Sequence, residues 1–163
     1  MEIKVKHTSE NFKTFRAEKV KSLFNAENGH TWEHTANLPI EDKGWQIGLI
    51  VGPSGSGKTS IGKQIWDSGI TNLTEGWNPS LPIIEDISPD KSMNEVTSAL
   101  SAVGLGDVPA WLRPFKVLSN GEQFRAGLAR LICEAPNKVI VDEFTSVIDR
   151  QIAKIGASAF AKA

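Results

Sequence analysis

The sequence predicts an α/β protein with parallel core strands and an added antiparallel β layer at its N-terminus. Three observations predict it. An apolar run, Trp45-Gln46-Ile47-Gly48-Leu49-Ile50-Val51, leads through a glycine-rich loop into a helical pattern from Lys58 to about Asp67. A second apolar run, Val139-Ile140-Val141, ends in two carboxylates, with helical patterns between the two runs. Strand, loop, helix and strand in this order is how parallel strands are joined. Before all this, residues 2–7 alternate polar and apolar, the period of a half-exposed strand.

The elements follow in order. Residues 10–25 carry Phe12, Phe15, Val20, Leu23 and Phe24 at spacings that leave helix and strand both open. His30 to Leu38, centred on Trp32, reads as another strand, and Glu41-Asp42-Lys43-Gly44 as a turn. Residues 45–51 form a continuous apolar run suited to a buried strand. Residues 68–90 are rich in Gly, Pro, Asn and Ser and read as loop, with a short strand at Pro82-Ile83-Ile84. Ser92 followed by Glu95 is a capping box that opens a helix to Val103. Asn120 to Cys133 and Arg150 to Ala161 are two further helices.

The 163 residues suit one domain, 1–163, large enough to bury a core. With 40% hydrophobic and 23% charged residues the chain reads as globular, and a net charge of −1 sets up no large field toward nucleic acid or anionic lipid. One cysteine, Cys133, excludes an internal disulfide framework and fits a reducing, cytoplasmic location. No membrane-spanning run and no signal peptide is apparent. The N-terminal cations Lys4, Lys6, Lys13, Arg16, Lys19 and Lys21 read as a solvated face or, more sharply, as a DNA contact.

Gly52-Pro53-Ser54-Gly55-Ser56-Gly57-Lys58-Thr59 fits G-x-x-x-x-G-K-[ST], with Ser60 next in line. Glycines let backbone N–H groups turn inward around phosphate oxygens, and the helix that follows aims its positive end at the same place. Lys58 is then the charge on the β- and γ-phosphates, and the Thr59 hydroxyl a Mg²⁺ ligand. Asp142, at the tip of the second apolar run, suits the same Mg²⁺, and Glu143, pointing differently, suits a general base for water.

Leu118-Ser119-Asn120-Gly121-Glu122 opens a helix, with Ser119 as N-cap and Glu122 three residues on. Taken alone this is an ordinary capped helix. Together with the two motifs above, it resembles the signature of the ABC ATPases, commonly written LSGGQ. Arg125, Ala129 and Arg130 sit where that family's helix carries similar residues, and Asp142-Glu143-Phe144-Thr145-Ser146-Val147-Ile148-Asp149 resembles the family's DEPTSALD run. The resemblance spans residues 52–149. It implies a P-loop NTPase fold of ABC type, with a parallel core sheet, an antiparallel layer and, given the short Lys58–Ser119 interval, a reduced helical subdomain. It also implies a second ABC-type domain, in a homodimer formed on ATP binding. Each ATP would lie between one phosphate loop and the partner's Ser119, Asn120, Gly121 and Glu122, with Asp149 facing the partner's loop. Trp32 falls where family members stack an aromatic on adenine; core or dimer packing is its plainer reading.

The sequence departs from the family pattern in places. Phe144 replaces a proline, and Asn120 and Glu122 alter the signature. A carboxylate beside a phosphate is unfavourable unless Glu122 turns back to cap Ser119. The family's Mg²⁺-sensing glutamine has no counterpart, since Gln64 lies in the first helix; Glu85-Asp86 falls in the equivalent segment. All three histidines, His7, His30 and His34, precede the phosphate loop, and none follows Asp149. The chain therefore reads as a short relative or as one cut before its last core strands. These features favour an ATPase that drives something other than transport. A transporter motor subunit, a small-molecule kinase and a non-hydrolysing nucleotide switch are the alternatives.

Overall fold

β1 (Glu2–Thr8) and β2 (Thr31–Asn37) pair antiparallel, Ile3 opposite Ala36, Val5 opposite His34 and His7 opposite Trp32. The alternation expected of residues 2–7 is there: Ile3 and Val5 are buried while Glu2, Lys4 and Lys6 are exposed. The computed structural model describes residues 1–26, 30–40, 44–66, 70–144 and 148–162. The chain divides into two compact units, Met1–Gly69 and Ile70–Ala163.

In the first unit, the undecided stretch at 10–25 forms α1 (Phe15–Phe24), capped by Thr14 Oγ1, which accepts from the Ala17 amide. Lys21 Nζ donates to Asn11 Oδ1, the Phe12 carbonyl and Glu18, tying the approach segment to the helix. None of the α1 side chains is buried. α2 (Lys58–Ile65) packs Ile61 against Ile3 and Val5, with Ala36, Leu38, Ile50 and Ile65 around them.

Residues 45–51 correct the expectation of a buried strand. They form no ladder, and Ile47, Leu49 and Val51 are 66%, 86% and 78% exposed. An apolar run becomes a buried strand only when neighbours take its hydrogen bonds and cover both faces. Among the described residues of this unit no strand runs beside it. Trp45 instead stacks on Trp66 at 6.1 Å and donates to the Ile40 carbonyl.

The second unit is helical: α3 (Ile83–Asp86), α4 (Met93–Ala102), α5 (Val108–Trp111), a 3₁₀ turn at Phe115–Val117, α6 (Asn120–Glu134) and α7 (Arg150–Phe160). α4 carries the capping box expected of Ser92 and Glu95 and buries Val96, Ala99 and Leu100. Those side chains meet Phe124, Leu128 and Ala129 of α6 in one core. Cys133 is buried there, which pushes its thiol up. Of the 82–84 segment only Pro82, the N-cap of α3, is extended; Ile83 and Ile84 are helical rather than strand. Ile83 and Ile87, four apart, are both buried, and the Ile87 amide donates to the Ile83 carbonyl at 3.0 Å. Helical spacing of the buried pair overrides the local β preference of two isoleucines. Residues 139–141 likewise form no strand; one parallel bridge joins Val141 to Thr71. The parallel core sheet is therefore reduced, among the described residues, to that single bridge.

Arg130 of α6 fastens the loop-rich 70–90 segment. Its guanidinium lies 3.6 Å over the Trp77 ring, pairs with Asp86 at 3.4 Å and donates to the carbonyls of Glu75, Gly76 and Asp86. Trp77 stacks in turn on Phe115, 4.2 Å between centroids. Asp86 is thus engaged by Arg130 and by the Asn78 amide. Trp111 donates to the Leu105 carbonyl at 2.7 Å, a packing role.

Candidate functional site

The glycine loop is built as its composition requires. Gly55 and Gly57 have φ of 77° and 83°, which side-chain-bearing residues seldom adopt, and Gly57 is the N-cap of α2. The Ser56 amide donates to the Pro53 carbonyl, closing the turn. Lys58 Nζ reaches back across the loop to the carbonyls of Gly52 and Pro53 at 3.0 and 2.9 Å. The first turn of α2 thus gathers Lys58, Thr59 and Ser60 at a helix N-terminus, where free N–H groups favour an anion.

The paired β1 and β2 supply one wall. Pairing of His7 with Trp32 places both on the face that carries Ile3 and Val5, the face against α2. There the indole edge rests on the loop: a Cβ added at Gly57 would fall 2.6 Å from Trp32 Cη2. Trp32 lies between two imidazoles, His7 and His34, each 5.7 Å away and nearly parallel. His7 Nε2 lies 2.8 Å from Ser60 Oγ. Trp32 and the loop are therefore together, with Trp32 still 36% exposed.

The acidic and signature motifs stand in the second unit. Asp142 is half-buried, with Oδ1 accepting from the Glu143 amide at 3.0 Å; Glu143 is exposed and has a φ of 49°. A non-glycine residue in this region is uncommon and recurs at functional sites. Thr145, Ser146 and Val147 lie outside the described residues. Ser119 is the N-cap of α6, and Glu122 turns back onto it, accepting from the Ser119 amide at 2.7 Å and from its hydroxyl at 2.6 Å. Those two hydrogen bonds hold the Glu122 carboxyl below its ordinary value, with Arg125 and Arg113 assisting. Gly121 lies under Ile152 of α7, and Asp149 caps α7, accepting from the amides of Gln151 and Ile152. α6 and α7 thereby bring the signature and the Asp149 end of the acidic run side by side, while the phosphate loop and Trp32 are assembled in the first unit.

Among the described residues no group of three or more His, Cys, Asp and Glu side chains is placed to hold an ion. The donors that sequence suggests, the Thr59 hydroxyl and the Asp142 carboxylate, are hard oxygens. They suit Mg²⁺, which is bound through one or two protein oxygens plus phosphates rather than by an all-protein cage. The N-terminal cations are partly paired, Lys4 with Glu2, Lys6 with Glu33 and Lys21 with Glu18, as in a solvated face.

Similarity to known proteins agrees with the motifs. The chain is 30% identical over 165 aligned positions to the putative 2-aminoethylphosphonate import ATP-binding protein PhnT of Salmonella typhimurium, covering 80% of this chain and 44% of the relative. It is 33% identical over 130 positions to the inner membrane ABC transporter ATP-binding protein YddA of Escherichia coli, covering 63% of this chain and 22% of the relative. It is 28% identical over 131 positions to ABC transporter I family member 10 of Arabidopsis thaliana, covering 64% and 47%. These similarities support an ABC ATPase nucleotide-binding domain. It spans less than half the length of these relatives. No family model and no solved structure matches. Among the described residues no helix is long and apolar enough to cross a membrane.

His7 is the residue beside the candidate site that motif reasoning passed over. The signal was present in β1: an alternating strand that buries Ile3 and Val5 must put residue 7 on the same face.

Proposed function

We propose that this chain binds Mg-ATP on the Gly52–Ser60 loop and hydrolyses it in a site completed by a second ABC-type domain, in a cytoplasmic homodimer formed on ATP. One observation carries the reading: a loop with two left-handed glycines opens α2 beneath a tryptophan, with Lys58 across it. Loop amides and Lys58 bind the β- and γ-phosphates, Ser60 takes a further phosphate oxygen, and Trp32 stacks on adenine. Thr59 and Asp142 hold Mg²⁺, which when bound neutralises charge developing on the phosphate oxygens. Glu143 takes the proton of the attacking water. The new oxygen–phosphorus bond forms as the bond to the β–γ bridging oxygen breaks, leaving ADP and phosphate.

The partner's α6 N-terminus, with Ser119, Asn120, Gly121 and Glu122, meets the γ-phosphate from the other side, and Asp149 faces the partner's loop. A second positive helix end balances triphosphate charge that one loop leaves uncovered. The short interval between Lys58 and Ser119, and the absence of a glutamine beyond Gln64 within it, favour a role other than transport. A transporter motor subunit is the second reading, favoured by the names of the relatives, two of which are ATP-binding proteins of transport or import systems. The test is specific ATPase activity against protein concentration. A per-molecule rate that climbs with concentration supports a site shared between two chains; a rate that stays flat over the whole range speaks against it. Lys58→Ala is expected to abolish ATP binding, and micromolar affinity retained by that variant would remove the loop assignment.

A further inference from the structure

His7 stands where no motif of the sequence assigns a role. It is 53 positions from Ser60 in the chain, yet its Nε2 lies 2.8 Å from the Ser60 hydroxyl on the first turn of α2. Its ring stacks on Trp32, whose edge rests on Gly57. One imidazole therefore meets both a hydroxyl on the first turn of α2 and the indole that rests on the glycine loop. Lys6 and Glu33 pair with each other on the opposite face of the β1–β2 pair, as alternation requires.

We propose that His7 is a positioning residue for nucleotide binding, its Nε2–H holding the Ser60 hydroxyl so that the Oγ–H is left to donate to a phosphate oxygen. The inference rests on the nucleotide site proposed above. Hydrogen-bond chemistry sets its direction. Phosphate oxygens only accept, so Ser60 must donate to them with its single hydrogen. A lone pair on Oγ then remains for His7, which must be the donor. A side chain at position 7 that donates to Oγ directs the hydroxyl toward the phosphate; one that cannot donate leaves the rotor free.

Calorimetric titration with two ligands, Mg-ATP and Mg-tripolyphosphate, which has no base to stack, tests this in the full chain. The variants are His7→Ala, His7→Gln, Ser60→Ala and the His7→Ala/Ser60→Ala pair, with melting temperatures compared alongside. His7→Ala is expected to weaken both ligands about 3- to 10-fold, the range of one hydrogen bond. His7→Gln, whose amide donates, restores affinity. Ser60→Ala matches His7→Ala, and the double variant is no worse than either. Loss confined to ATP would overturn the proposal, because His7 would then act only through the Trp32 ring. Losses that multiply in the double variant, or failure of glutamine to restore binding, would overturn it as well. Absence of binding by the unaltered chain would instead remove the nucleotide site itself, and this proposal with it.

Discussion

Gly57→Ala probes the contact that joins the β1–β2 pair to the glycine loop. Residue 57 has a φ of 83°, and alanine in a left-handed conformation costs about 1–2 kcal/mol. The new Cβ would lie 2.6 Å from Trp32 Cη2, against the roughly 3.5–4.0 Å of an ordinary carbon contact. The ring must retreat by about 1 Å, and crowding of this kind costs about 1–3 kcal/mol. Trp32 is partly open to solvent and can yield, which puts the steric part near the low end, about 1 kcal/mol. The loop conformation is then penalised by about 2–3 kcal/mol, and ATP affinity is expected to fall roughly 30- to 150-fold. Trp32→Ala separates the two parts. In that background the Cβ meets no ring, and Gly57→Ala should cost only the backbone part, about 5- to 30-fold. Calorimetric titration of the unaltered chain, both single variants and the double variant measures the difference. An equal penalty in both backgrounds would refute the contact, and unchanged affinity in Gly57→Ala would refute the loop as the binding element.

Other predictions follow from the second unit. Glu143→Gln should keep ATP affinity while stopping turnover and trapping an ATP-bound dimer; a variant that elutes as a monomer in saturating Mg-ATP counts against the shared site. Ser119→Ala removes a cap worth about 1 kcal/mol, seen as a lower denaturant midpoint at neutral pH. The Glu122 carboxyl is held below its unfolded value, so its contribution is present above pH 4.5 and is lost as pH falls through the lower folded value. Ser119→Ala should therefore flatten the acid limb of stability below pH 4.5, and an unchanged acid limb would show that the cap does not form. Gly127→Ala would bring a Cβ within 2.8 Å of Leu73 Cβ and 3.0 Å of its carbonyl oxygen, and should destabilise the fold by about 1–3 kcal/mol on thermal unfolding.

Much of the site is legible locally. A glycine's φ, a lysine's place in a loop and a serine that caps a helix depend on residues within a few positions. The glycine loop that opens α2, the Ser92–Glu95 and Ser119–Glu122 boxes and the α6 and α7 helices therefore read directly from order and spacing. The buried strands did not follow. Ile47, Leu49 and Val51 have strand-like composition, yet pairing is a property of neighbours, and the described residues of their unit offer none. Ile83 and Ile87 show the reverse case, where burial of a four-residue spacing makes a helical turn from residues that favour strands.

By itself the sequence determined the backbone of the glycine loop, the capping of the helices and the resemblance to ABC ATPases, because each rests on residue types at fixed short spacing. The tertiary structure alone decided that Trp32 lies on Gly57 and that His7 reaches Ser60. Those contacts depend on the register of β1 against β2 and on which face of the pair α2 covers, and a one-residue slip would put His7 and Trp32 on opposite faces.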